Sequence, residues 1–156
     1  MSFDKKETYE RSIRELDSVL EGQTDRIAIM ATLSCVLKMN FPYYFWSGFY
    51  MVKNGALLIG PYQGALGCLD IEFGRGVCGT AAAERKTQLV PDVHQFPGHI
   101  ACDANSKSEI VVPVIDAEDN LIAVFDVDSD EYNSFDETDQ IYLEKIVERY
   151  LRISEM

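Results

Sequence analysis

Three of the four cysteines fall in glycine-rich or polar surroundings, where a thiol is free for chemistry. Cys68 lies between Gly67 and Leu69, Cys78 between Val77 and Gly79, and Cys102 between Ala101 and Asp103. A structural cysteine usually sits among apolar core residues. Cys35 does so, inside an apolar helical run, and is read as core. For the other three, spacing alone leaves redox chemistry and packing both open.

Cys78 has a further feature. The run from Gly74 to Thr80 reads as a glycine-rich turn opening a helix. Exposed N–H groups there would bind an anion, and the helix dipole with Arg75 would favour a thiolate. A tight turn that needs glycine for steric reasons explains the same residues. The two histidines, His94 and His99, share one loop, and His99 stands three residues before Cys102. A zinc site joining His99 and Cys102 to Cys68 and Cys78 is the metal reading. There is no Cys-x-x-Cys pair and the spacings match no common zinc module, so no metal is assigned. The histidines are read as bonding loop carbonyls or shaping a pocket.

Carboxylates cluster downstream. Glu109 opens a predicted strand, and Asp126 and Asp128, two apart on another, point to one face. Adjacent acids repel unless they share a proton, bind a cation or face solvent. From these residues alone an exposed strand end is the simpler reading. A substrate ammonium, or a reaction that needs a proton, would favour the functional one.

The elements that must position these groups follow from periodicity. Tyr9, Ile13, Leu16 and Leu20 are spaced as one buried helical face, ended near Gly22. A second helix starts after Thr24 and runs to Met39. It is apolar on nearly every side and is expected to be well buried. Strands are predicted at 45–52 and 56–61 around Asn54-Gly55, a strong hairpin signal. An irregular stretch covers 62–76, a short helix 77–85 and a short strand 88–90. Residues 91–108 form a long loop, and such loops are often functional. Strands at 109–115 and 121–127 flank a turn. Ser134 and Glu137 make a capping box for a final helix at 135–151 that buries Leu143, Val147 and Tyr150. Strands joined by turns imply an antiparallel sheet, and helices at both chain ends imply a layer on one face. The fold class is α+β, a single domain over 1–156: N-terminal helices at 4–39, sheet and loops at 45–128, and the C-terminal helix.

With 156 residues, 47% of them hydrophobic, the chain can bury the core of one domain. A net charge of -12 disfavours nucleic acid and anionic membranes as partners. The polar start lacks the apolar core of a signal peptide. A cytoplasmic location is expected, where stable disulfides are rare.

Three runs resemble the free methionine-(R)-sulfoxide reductases, which are stand-alone GAF domains: FGRGVCGTA at 73–81, DVHQFPGHIACD at 92–103 and SEIVVP at 108–113. FWSGFY at 45–50 and DVDS at 126–129 resemble that family's other two motifs. The resemblance spans nearly the whole chain and includes all three loop cysteines. It implies a GAF fold and reduction of free L-methionine-(R)-sulfoxide. By the same resemblance Cys102 is the attacking thiol and Cys68 its disulfide partner, with Cys78 relaying or substituting in that bond. Glu109, Asp126 and Asp128 are the acids that hold the substrate amine and supply protons, and Trp46 lines the pocket. The family needs no cofactor. Thioredoxin is the implied reductant, and GAF analogy suggests a homodimer through terminal helices. The main alternative is a non-catalytic GAF sensor of a small ligand, although the chain has no room for an output domain. A redox-sensing or zinc-binding interaction protein is the third reading.

Overall fold

The computed structural model describes residues 3–100, 102 and 104–154. Its elements run α1 (Lys5–Val19), α2 (Arg26–Asn40), β1 (Trp46–Lys53), β2 (Ala56–Gln63), β3 (Asp70–Glu72), α3 (Gly76–Glu84), β4 (Gln88–Val90), a 3-10 turn (Val93–Gln95), β5 (Ser108–Ile115), β6 (Leu121–Ser129) and α4 (Glu137–Leu151). The six strands form one antiparallel sheet in the order β3-β2-β1-β6-β5-β4. β1 lies between β2 and β6, so the strands carrying Trp46, Asp126 and Asp128 are neighbours although 80 residues separate Trp46 from Asp126.

Alternation along the strands divides the core in two. Phe49, Ile110, Val112, Phe125 and Val127 face one side and pack against α1, α2 and α4. Tyr50, Val111 and Val124 face the other, against Val77, Ala81 and Ala82 of α3. The expected one-face layer is therefore made by the three long helices. The short α3 and the long loops cover the opposite face, and that is where the polar residues gather.

Several local readings are adjusted. β3 lies within the stretch read as irregular, because a strand of three residues is too short to show a period. Aspartates at N-cap positions open the long helices: Asp4, Asp25 and Asp136. The capping box of α4 is formed by Asp136 and Asp139 rather than Ser134 and Glu137. The Ser134 hydroxyl is held instead by Ser129 Oγ at 2.6 Å. Tyr150 is half-buried, with its hydroxyl 2.7 Å from Asp17 Oδ1. α2 buries Ile29, Met30, Leu33 and Leu37 but leaves Ile27 and Met39 exposed. Cys35 lies on its outer side, half-buried, with Sγ 3.8 Å from Met39 Sδ. It is not a core residue: an all-apolar helix packed on one side only leaves its outer turn positions open.

Asp139 links three elements beneath the helices. It is fully buried, and its Oδ1 accepts from the Tyr9 and Tyr43 hydroxyls at 2.6 Å each. Its Oδ2 accepts from the Lys5 ammonium at 2.5 Å and from the Asp136 backbone N–H at 2.8 Å. Replacing it by alanine takes the shared acceptor from the Tyr43 hydroxyl and the Asp136 N–H, while Lys5 keeps Asp136 Oδ2 and Ser134 O and Tyr9 keeps the Tyr44 hydroxyl. Asp139→Ala is expected to cost about 3–5 kcal/mol, read as a shift in the urea unfolding midpoint with unchanged slope. A loss below about 1 kcal/mol would show that water replaces the carboxylate in the network.

Candidate active site

The sheet register assembles the acids. Trp46 pairs with Asp128 and Gly48 with Asp126 across β1 and β6, and Glu109 pairs with Asp128 across β5 and β6. Trp46 and Tyr50, Asp126 and Asp128, and Glu109 all rise on the α3 side of the sheet. They line a cleft open to solvent, with Arg75, Gly76, Cys78, His99 and Cys102.

Close backbone approach shapes this cleft. A Cβ on Gly48 would lie 2.2 Å from Tyr62 Cβ, so glycine there lets β2 fold against the ring of Trp46. Trp46 stacks on Tyr62 at 5.1 Å and Tyr50 at 5.9 Å, and its Nε1 donates to Ala65 O at 2.7 Å. The indole N–H thus pins the loop that carries Cys68 and leaves an aromatic face to the cleft. A Cβ on Gly79 would lie 2.4 Å from Glu72 O, and Gly76 has φ +64. The steric reading of the glycine-rich turn therefore holds, and the turn seats the start of α3 close to β3. Arg75 is the N-cap with no side-chain hydrogen bond to the helix, so no side chain caps the first N–H groups of α3, whose Gly76, Val77 and Cys78 line the cleft.

Cys68, in the β2–β3 loop, and Cys102, in the long loop before β5, form a disulfide with Cα atoms 5.2 Å apart. That spacing is ordinary for the bond. Cys102 is exposed and Cys68 half-buried, so the disulfide sits at the mouth of the cleft within reach of an external thiol. Ala101 and Asp103, which flank Cys102, lie outside the described residues.

Cys78 is deeper. It is buried, and its Sγ lies 3.9 Å from Glu109 Oε2. Burial pushes its thiol well up, and the charges of Asp126, Glu109 and Asp128 add to this. The expectation of a thiolate favoured by Arg75 and the helix dipole is overturned: nearby carboxylates and desolvation outweigh a partial charge at a helix end.

The acids are not an exposed strand end. Glu109 is 7% and Asp126 4% exposed. Burial raises the carboxyl of Glu109 well above its ordinary range, and the Asp126 charge adds to it. Burial also raises Asp126, with the Asp128 charge next. Among the described residues neither has a cationic partner, and Asp126 Oδ1 is buried without a hydrogen bond. Burial thus favours the protonated forms of both acids.

Among the described residues the histidines are not grouped with the loop cysteines as ligands of one ion. His94 pairs its ring with Asp92 at 3.2 Å. His99 lines the cleft with its buried Nδ1 unpartnered, and burial, then the His94 charge, lowers its pKa and favours the neutral ring. Sequence reasoning missed Tyr50, whose hydroxyl is pushed up by burial and then by Asp126 and Cys78. Its signal was legible: Trp46, Gly48 and Tyr50 alternate on one strand face.

Comparison with known proteins agrees with this arrangement. Residues 32–150 match the GAF domain family. The chain is 48% identical to GAF domain-containing protein A of Dictyostelium discoideum, covering 92% of this chain and 90% of that one. It is 39% identical to free methionine-R-sulfoxide reductase of Escherichia coli, covering 93% and 87%. The solved structure of the Neisseria meningitidis free methionine-R-sulfoxide reductase in complex with its substrate superposes with TM-score 0.91 at 42% identity, covering 97% and 90%. With that fold, that cleft and those relatives together, the chain belongs to the GAF domain family and, within it, to the free methionine-R-sulfoxide reductases.

Proposed function

We propose that this protein reduces free L-methionine-(R)-sulfoxide to L-methionine with Cys102 as nucleophile, Cys68 as resolving thiol and thioredoxin as the external reductant. The observation that carries the reading is the accessible Cys68–Cys102 disulfide at the mouth of a cleft whose floor holds buried acids that burial pushes toward their protonated forms.

Oxide is a poor leaving group, so the sulfoxide oxygen must be protonated before sulfur accepts a nucleophile. The Glu109–Asp126 pair supplies that proton. Entry of the substrate ammonium brings a counter-charge to buried Asp126, so one acid ionises while the Glu109–Asp126 pair keeps a proton for the oxygen. The side chain of the substrate packs against Trp46, and its carboxylate takes the uncapped N–H groups at the start of α3 beside Arg75. Cys102 sulfur attacks the sulfoxide sulfur, methionine departs, and the oxygen stays on Cys102 as sulfenic acid. Cys68 thiol displaces that oxygen as water and forms the disulfide. A dithiol then reduces it by exchange, becoming a disulfide in turn. Cys78 serves as a reserve thiol in the same relay.

A cytoplasmic location fits a cycle that depends on a reducing thiol pool, and no helix among the described residues is long and apolar enough to cross a membrane. The homodimer stays part of the proposal, supported by exposed Val19, Ile27 and Met39 on the helical layer. NADPH oxidation with thioredoxin and thioredoxin reductase tests the activity. Consumption is expected with the R sulfoxide of free methionine and not with the S form. Equal rates with both, or none with the R form, would overturn the assignment. A non-catalytic sensor would leave the disulfide at the cleft mouth without a use.

A further inference from the structure

The floor of the cleft offers more than a seat for an ammonium group. Ligand atoms of Cys78, Glu109 and Asp126 all lie within 4.8 Å of one another, and all three residues are buried. The Cys78 Sγ to Glu109 Oε2 distance is 3.9 Å. Two ligands on one tetrahedral zinc, with bonds of about 2.3 Å to sulfur and 2.0–2.2 Å to oxygen, stand roughly 3.5 Å apart. Small side-chain shifts close that gap. The second observation is Asp126 Oδ1, buried and without a partner on a residue 4% exposed. Such orphaned polar atoms are rare and call for a ligand. One sulfur with two carboxylates favours zinc-like ions over magnesium or calcium, which prefer oxygen alone.

We propose that Cys78, Glu109 and Asp126 form an inhibitory site for a thiophilic divalent cation of the zinc type, overlapping the seat of the substrate ammonium. The overlap rests on the function proposed above; the metal site does not. On binding, Cys78 and any protonated carboxyl release their protons to solvent as the metal bonds form, and no electrons move. The remaining coordination position faces the cleft and takes water.

The test uses oxidised protein, in which the Cys68–Cys102 disulfide leaves Cys35 and Cys78 as the thiols. Cobalt(II) is titrated and the thiolate-to-cobalt charge-transfer band followed. One equivalent is expected to bind, with the band kept in Cys35→Ser and lost in Cys78→Ser. Asp126→Asn and Glu109→Gln are expected to weaken binding at least about tenfold; being isosteric, they keep the test valid if Cys78→Ser does not fold. Zinc should displace cobalt, and excess L-methionine should weaken its apparent affinity. No band, or a band that persists in Cys78→Ser, would overturn the metal site, even in a protein that reduces the sulfoxide. A band that obeys the variants but ignores methionine would overturn the overlap, and with it the ammonium seat.

Discussion

Cys102→Ser is expected to lower turnover of free methionine-(R)-sulfoxide by roughly 10³-fold or more, because a serine hydroxyl at neutral pH is a far weaker nucleophile than a thiol. The change removes no packing, since Cys102 is exposed. It does remove a disulfide joining residues 34 apart in sequence. In the chain-entropy account that bond stabilises the oxidised protein by about 3–4 kcal/mol. The variant should therefore match the reduced parent in unfolding midpoint and fall below the oxidised one, which separates lost chemistry from lost fold. Cys68→Ser should still release about one methionine per site in a single-turnover assay and then slow with thioredoxin. Cys78 should rescue part of that rate. Full steady-state turnover by a Cys68, Cys78 double variant with thioredoxin alone would sink the disulfide scheme, and substantial turnover by Cys102→Ser would remove Cys102 from its role.

The second large effect concerns the buried acids. N-acetyl methionine-(R)-sulfoxide lacks the ammonium that the acids are proposed to read. Charge-assisted hydrogen bonds to a desolvated carboxylate are worth about 1.5–3 kcal/mol each. Losing two of them should lower kcat/KM by about 10²-fold or more. Glu109→Gln and Asp128→Asn should show comparable losses with the free amino acid, while reduced Cys102 still reacts with a small alkylating agent. Stability should move the other way. Glu109 and Asp126 have folded-state pKa values above their unfolded ones. For an acid raised on folding, stability is fullest below the unfolded pKa and declines as pH rises toward the folded one. Glu109→Gln should therefore lose less stability than the parent as pH rises above the unfolded-state range of a glutamate. Equal kcat/KM for free and N-acetyl substrates would show that the acids do not read the amine, and specificity for the free amino acid would have to be given up.

Much of this architecture was legible in the linear chain. Asn54-Gly55 marked the β1–β2 hairpin, the spacing of Tyr9, Leu16 and Leu20 marked the buried face of α1, and Asp126 and Asp128 were placed on one strand face by alternation alone. These features are local, since propensity, turn chemistry and period act within a few residues. The motif runs around Cys78, Cys102 and Glu109 pointed to the family and, through it, to the pairing of Cys68 with Cys102.

What the tertiary structure decided is how far each group stands from water and from its neighbours. Asp126, read with Asp128 as a solvated strand end, joined Glu109 in a buried floor once β5 was registered against β6 and α3 was laid over both, while Asp128 stayed half-buried. The same burial turned Cys78 from a candidate thiolate into a neutral thiol beside Glu109. Cys35 went the opposite way, because an all-apolar helix does not reveal which of its sides will meet the sheet. Ser134 lost the cap of α4 to Asp136 because Ser129 holds its hydroxyl. Solvation and charge coupling are sums over atoms brought together from distant parts of the chain, and a sequence carries them only through the fold it encodes.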